Sequence, residues 1–114
     1  MITKVAVADS FDDAVARLDA TDAQRARRFM DKVCDEPERV GLNFEIVRKQ
    51  PDRSMLSARV SHEMRAIAYR CAGTLTLLWV DHHDAAYAWA RARCVECHPV
   101  TGKVLRVIEA PAAT

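Results

Sequence analysis

Leu75-Thr76-Leu77-Leu78-Trp79-Val80-Asp81-His82-His83-Asp84-Ala85-Ala86-Tyr87-Ala88-Trp89-Ala90 carries both the fold and the candidate chemistry. Its first part is an apolar run with the length of a buried strand. Its last part reads as a helix over 85–92, with Ala86, Trp89 and Ala90 on one face and Asp84 fitting the N-cap. Two histidines and two carboxylates lie between, and Tyr87 follows one turn after Asp84. Histidine changes charge near neutral pH, so this junction places proton-moving groups at a strand end.

Upstream, Met55–Val60 and Met64–Arg70 also read as strands. Ser61-His62-Glu63 separates them, and Cys71-Ala72-Gly73 precedes the strand Thr74–Asp81. Connections this short make consecutive strands antiparallel neighbours. A three-residue loop at 61–63 sets Val60 against Met64 and Arg59 against Arg65. Like charges directly opposed across a ladder are unfavourable. Two readings follow: both guanidinium groups splay into water, or an anion such as phosphate sits between them.

Working toward the N-terminus, residues 42–54 give a short apolar segment and then a basic loop through Arg48, Lys49 and Arg53. Residues 2–8 read as a strand. Ser10 fits a helix cap, with Phe11, Ala14, Val15 and Leu18 on one face. Thr21 with Gln24 forms a second capping box. It opens a helix whose apolar stripe is Ala23, Ala26, Met30, Val33 and Cys34, ending at Pro37 and Gly41. The two helices make an αα-hairpin. Toward the C-terminus, 93–98 and 103–108 bracket Pro99-Val100-Thr101-Gly102 as a hairpin. The Ala/Pro-rich end has linker composition. The expected organisation is one domain over 1–109 with 110–114 as tail or linker start.

Composition narrows the function classes. The 114 residues are 50% hydrophobic and 29% charged, enough to bury a core without staples. No apolar run reaches the length needed to span a bilayer, and residues 1–9 lack a signal peptide's layout. The expected location is the cytoplasm, with no membrane partner and with Cys34, Cys71, Cys94 and Cys97 as thiols. Net charge is +1, distributed as −2 over residues 1–40, +3 over 41–70 and zero over 71–114. Any anion-binding surface belongs to the middle third, and the weak overall field argues against sequence-independent binding to bulk nucleic acid. Cys94-Val95-Glu96-Cys97-His98 spells a c-type haem motif. In a strand, however, its two cysteines point to opposite faces, and no second C-x-x-C completes a zinc set.

The order of these segments resembles the RelE/ParE superfamily of toxin domains. The RelE-like domains fused to UvrD/Rep-type DNA helicases resemble it most. The residues that carry the likeness are Val5–Phe11, Gly41–Glu45, Ser57–Val60 with Arg65–Ile67, Leu77–Asp84 with Ala86-Tyr87 and Trp89-Ala90, and His98–Gly102. The resemblance implies an α+β, RelE-like fold. An N-terminal strand and an αα-hairpin pack on a small, mainly antiparallel sheet, with a short helix near the C-terminus. It implies an mRNA interferase, a metal-free endoribonuclease with no cofactor that acts on RNA, with the ribosome and an antitoxin as further partners. In that family, basic residues hold mRNA phosphates while an acid/base group helps the ribose 2′-hydroxyl attack. Carried onto this chain, Arg59 and Arg65 meet the phosphate, and His83 and Tyr87 lie nearest the proton transfers. Lys49, Arg53 and His82 are further RNA contacts. Near-neutral charge and the helicase-linked pattern motivate a second reading, a non-catalytic nucleic-acid- or partner-binding accessory domain of a fused helicase.

Overall fold

A computed structural model describes residues 2–49 and 55–109. The expected contact Arg53 and the expected tail 110–114 lie outside the described residues. The elements are β1 (Lys4–Val7), α1 (Asp9–Ala16), α2 (Ala20–Asp35), β2 (Glu45–Ile46), β3 (Met55–Arg59), β4 (Met64–Cys71), β5 (Thr74–His82), α3 (His83–Arg91), β6 (Arg93–Cys97) and β7 (Val104–Glu109). Five strands form one sheet in the order β1-β5-β4-β3-β2, and β6-β7 form a separate ribbon. Among the described residues, β1 with β5 is the one parallel pair, and the other pairings are antiparallel. The fold is α+β, as expected.

Two apolar cores sandwich the sheet. On one face, α1 and α2 bury Phe11, Ala14, Val15, Ala23, Ala26, Phe29 and Val33 against Ala58, Ala66, Ala68, Leu75, Leu77 and Val80. On the other, α3 and the β6-β7 ribbon bury Ala86, Trp89, Ala90 and Val95 against Met55, Ile67, Tyr69 and Leu78. Fully burying one large apolar side chain contributes about 1.5–3 kcal/mol, so strands apolar on both faces hold the layers together. Trp89 stacks on Trp79, with ring centroids 5.1 Å apart and planes 6° from parallel. Arg17 and Arg93 lie over Trp79 and Trp89 respectively.

The helix starts differ from expectation. Ser10 lies inside α1, whose N-cap position is Ala8. Its hydroxyl instead donates to the Leu78 carbonyl at 2.6 Å, tying α1 to the sheet. The cap of α2 is Asp19, not Thr21: its Oδ1 accepts from the Asp22 N–H at 2.8 Å. The buried stripe of α2 runs through Phe29, which outcompetes the exposed Cys34 and the half-buried Met30 for the core. His82, not Asp84, is the N-cap residue of α3, and it makes no side-chain cap bond.

The β4–β5 pairing has an irregularity between Ile67 and Ala68. Trp79 pairs with Ile67 and Leu77 with Ala68, so Leu78 is left out of the ladder. Such a bulge adds one residue to one strand and increases its twist. Beyond it the register sets Asp81 opposite Arg65 and His82 opposite Met64. At the other end, Ala72 and Gly73 both have positive φ, 50° and 79°, as a two-residue type I′ hairpin requires.

Candidate functional site

Arg59 and Arg65 are opposed across β3–β4, as the loop length predicts. They do not share an environment. Arg65 Nη1 donates to the carbonyls of Ser61, His62 and Met64 at 2.9, 3.3 and 2.9 Å. Glu63, the remaining residue of that turn, accepts the His83 N–H at 2.8 Å. All four carbonyls of residues 61–64 are therefore engaged, and Arg65 and the first residue of α3 are held by one turn. Arg59 is exposed and makes no ion pair or side-chain hydrogen bond among the described residues.

Arg59, Arg65, His83 and Tyr87 line one groove of about 500 Å³, with Glu45, Ser57 and the segment Gly41–Asn43. The groove lies where the edge of the sheet meets α3. Tyr87 is held on three sides. Its hydroxyl shares a hydrogen bond with Ser57 Oγ at 3.0 Å. The His83 ring meets its ring edge-on, centroids 4.7 Å apart, and Arg91 lies 5.6 Å from its centroid. Arg91 Nε is itself anchored on the Arg48 carbonyl at 3.0 Å.

His83 Nδ1 is 3.0 Å from Asp84 Oδ1. In the tautomer with its proton on Nδ1 the ring donates to this carboxylate, and Nε2 is the nitrogen left to face a substrate. His82 points elsewhere. Its Nε2 is 3.3 Å from Asp22 Oδ2 on α2, and it does not line the groove. Adjacent residues thus serve opposite sides of the sheet. Lys49 is exposed with φ 61°, also outside the groove lining.

Glu45 and Ser57 were not singled out as site residues from the sequence. They face one another in the β2–β3 register, and Ser57 is buried. A lone hydroxyl between Leu56 and Ala58 in a strand-length run is the signal that could have found Ser57. Glu45 had no local signal, because β2 is two residues long and only its pairing brings the carboxylate to the groove.

Among the described residues, no group of three or more His, Cys, Asp or Glu is arranged to hold a metal ion. The C-x-x-C-H motif is spent on the β6-β7 ribbon. Cys97 packs on the α3-side core, and His98 Nδ1 accepts from the N–H groups of Val100 and Thr101, both at 3.2 Å. No helix among the described residues is long and apolar enough to cross a membrane.

No family model matches the chain, and no curated protein matches it in sequence. Solved structures do match. The chain is similar to the toxin–antitoxin complex RelBE2 from Mycobacterium tuberculosis, with TM-score 0.55 and 21% identity, over 73% of this chain and 94% of that one. It is also similar to the YoeB/ParE toxin from Agrobacterium tumefaciens, with TM-score 0.50 and 17% identity, over 71% of this chain and 99% of that one. At these identities the likeness concerns the fold. The chain has the fold of RelE-like toxins, and about a quarter of it lies outside the matched region.

Proposed function

We propose that the chain is a toxin-type domain of the RelE/ParE superfamily that cleaves RNA as an mRNA interferase. One observation carries this reading: Arg59, Arg65, His83 and Tyr87, drawn from three elements, line a single groove. Transesterification needs an acceptor for the 2′-hydroxyl proton, positive charge at the phosphate as its oxygens gain charge, and a donor for the departing 5′-oxygen. Arg59 and Arg65 supply the charge. Glu45 brings a carboxylate to the same groove and accepts the 2′-hydroxyl proton. The oxygen left behind attacks phosphorus, and a cyclic phosphate forms as the bond to the 5′-oxygen breaks. Protonated His83 returns a proton from Nε2 to that oxygen. Tyr87 offers a fixed aromatic face and hydroxyl beside the scissile link. The RelBE2 neighbour supports an antitoxin as protein partner, and an RNA target implies a cytoplasmic site of action.

The test is to incubate the protein with translating ribosomes and map mRNA ends. Wild type is expected to leave new ends inside the decoded region, and Arg65→Ala/His83→Ala to leave none. Full cleavage by that variant overturns the residue assignment. No cleavage by wild type at any concentration favours the second reading, an accessory nucleic-acid- or partner-binding domain fused to a UvrD-like DNA helicase. The net charge of only +1 speaks for that reading.

A further inference from the structure

Arg59 also lines a second groove, of about 420 Å³, on the α2 side of the hairpin. Its other cationic walls are Arg25, Arg28 and Lys32 of α2 and Arg39 of the segment after it, and no Asp or Glu lines it. Two of the five cations are committed. Arg25 is 3.3 Å from Asp22, and Arg39 bridges Asp35 and Glu36 at 3.5 and 3.0 Å. Arg28, Lys32 and Arg59 make no ion pair among the described residues. Arg25, Arg28 and Lys32 follow one another three and four residues apart, so they stack along one helix face, where like charges repel. Phe29 forms the apolar back of the groove. A face on which three of five gathered cations have no ion-pair partner among the described residues suits an external polyanion.

The two grooves are continuous. Gly41, Leu42 and Arg59 line both. A side chain at Gly41 would meet nothing within 4 Å, so the rim between them is open. They differ in chemistry: the first holds a carboxylate, an imidazole and a phenol, and the second holds cations and no acid/base pair. We infer that the second groove binds the backbone phosphates of the same single-stranded RNA, on the segment that runs past the scissile link over the Gly41–Leu42 rim. This rests on the reading of the first groove given above. A single strand fits because its backbone can follow an open positively charged channel. Arg59 then serves both halves, holding the phosphate at the crossing point.

The experiment measures fluorescence anisotropy of uncleavable 2′-O-methyl RNA, one oligonucleotide of about four nucleotides and one of about twelve. Arg28→Ala/Lys32→Ala is expected to weaken the longer one about tenfold and leave the shorter one unchanged. Its log–log salt slope should fall by about 1.4, near 0.7 for each lost phosphate contact on a single strand. Arg28→Lys/Lys32→Arg should retain binding, and Arg27→Ala, on α2 but outside the groove, should leave it unchanged. Longer-RNA binding independent of Arg28 and Lys32 overturns the inference. So does an equal loss for both lengths, or a loss seen with RNA duplex but not with single strand. If Arg28→Ala/Lys32→Ala abolishes capture of a poly-glutamate peptide but leaves RNA affinity intact, the groove belongs to an acidic protein partner instead. Because the readout is binding, the two readings fail separately. A chain that cleaves nothing yet shows the length-dependent loss keeps this groove and drops the chemistry. A chain that cleaves but ignores Arg28 and Lys32 does the reverse.

Discussion

Ser57 Oγ and Tyr87 Oη, from β3 and α3, lie 3.0 Å apart and bolt the helix to the sheet beneath the groove. Ser57 is 4% exposed, so its hydroxyl is desolvated and has Tyr87 as its partner. The phenol tip is therefore positioned before any substrate arrives, which is the condition for a fixed catalytic surface.

Removing the hydroxyl with Ser57→Ala should lower RNA cleavage about tenfold, or about 1.4 kcal/mol of transition-state stabilisation. Stability should fall by about 1 kcal/mol, the net contribution of one such hydrogen bond. Cleavage kinetics and urea unfolding read the two effects. Loss of stability without loss of rate would mean that the bond serves packing alone.

Arg65 and Arg59 should separate in a stability measurement. Arg65→Ala strips the Ser61 and His62 carbonyls of their donor, whereas the Met64 carbonyl keeps the Val60 and Ser61 N–H groups. A cost of about 1.5–3 kcal/mol is expected, as for hydrogen bonds to a charged group. Arg65→Lys should recover only part of it, because an ammonium cannot reproduce the planar fork. Arg59→Ala should stay within about 0.5 kcal/mol of wild type. Urea midpoints at constant m-value are the measurement.

Gly102 admits no side chain. A Cβ there would lie 2.0 Å from the Cys71 carbonyl oxygen and 2.8 Å from Thr74 Cβ, and the φ is +73°. Gly102→Ala should cost about 3 kcal/mol, through overpacking and a left-handed backbone together. Gly41→Ala, with φ +105° but open space, should cost about 1–2 kcal/mol from the backbone alone. Thermal unfolding of the two variants would rank them.

The α2 cap yields a paired prediction. Asp19→Ala should cost about 1 kcal/mol and Thr21→Ala close to nothing, since Asp19 accepts from the Asp22 N–H. Equal effects would return the cap to Thr21.

Ala72 occupies a left-handed position, φ 50°, in the β4–β5 turn. Asn tolerates that region better than Ala, so Ala72→Asn should stabilise the protein by about 0.5–1 kcal/mol. Thermal midpoints check it.

The sequence made the hairpin frame legible because loop length fixes register. With Ser61, His62 and Glu63 as the loop, Arg59 has no partner on β4 but Arg65. The helix ends were harder, because several residues near each start could cap and only tertiary packing chooses among them. Ser10 was drawn away by the Leu78 carbonyl, and Asp19 stood two residues ahead of the box that starts at Thr21. The bulge at Ile67/Ala68 left one slight mark, since Thr74-Leu75-Thr76-Leu77 alternates and Leu78 breaks the alternation, but an apolar run hides such a phase change. The histidine pair marked the location of the groove, yet the letters could not say that His82 and His83 part company. That division depends on α2 lying within reach of one side of the sheet.

The parallel pairing of β1 with β5 ties the molecule's assembly to the order of its synthesis. Thr3 bonds to Gly73, 70 positions further along. At about 5–20 residues per second, the N-terminal strand and helices wait several seconds before the strand that completes their core leaves the ribosome. Contacts this distant also slow the folding search itself. Arg59 and Arg65 are translated before β5, but their groove lacks its far wall until α3 follows β5 into place. A nascent chain of this kind lacks a complete groove while it is being made, and the step that completes its core also completes its groove.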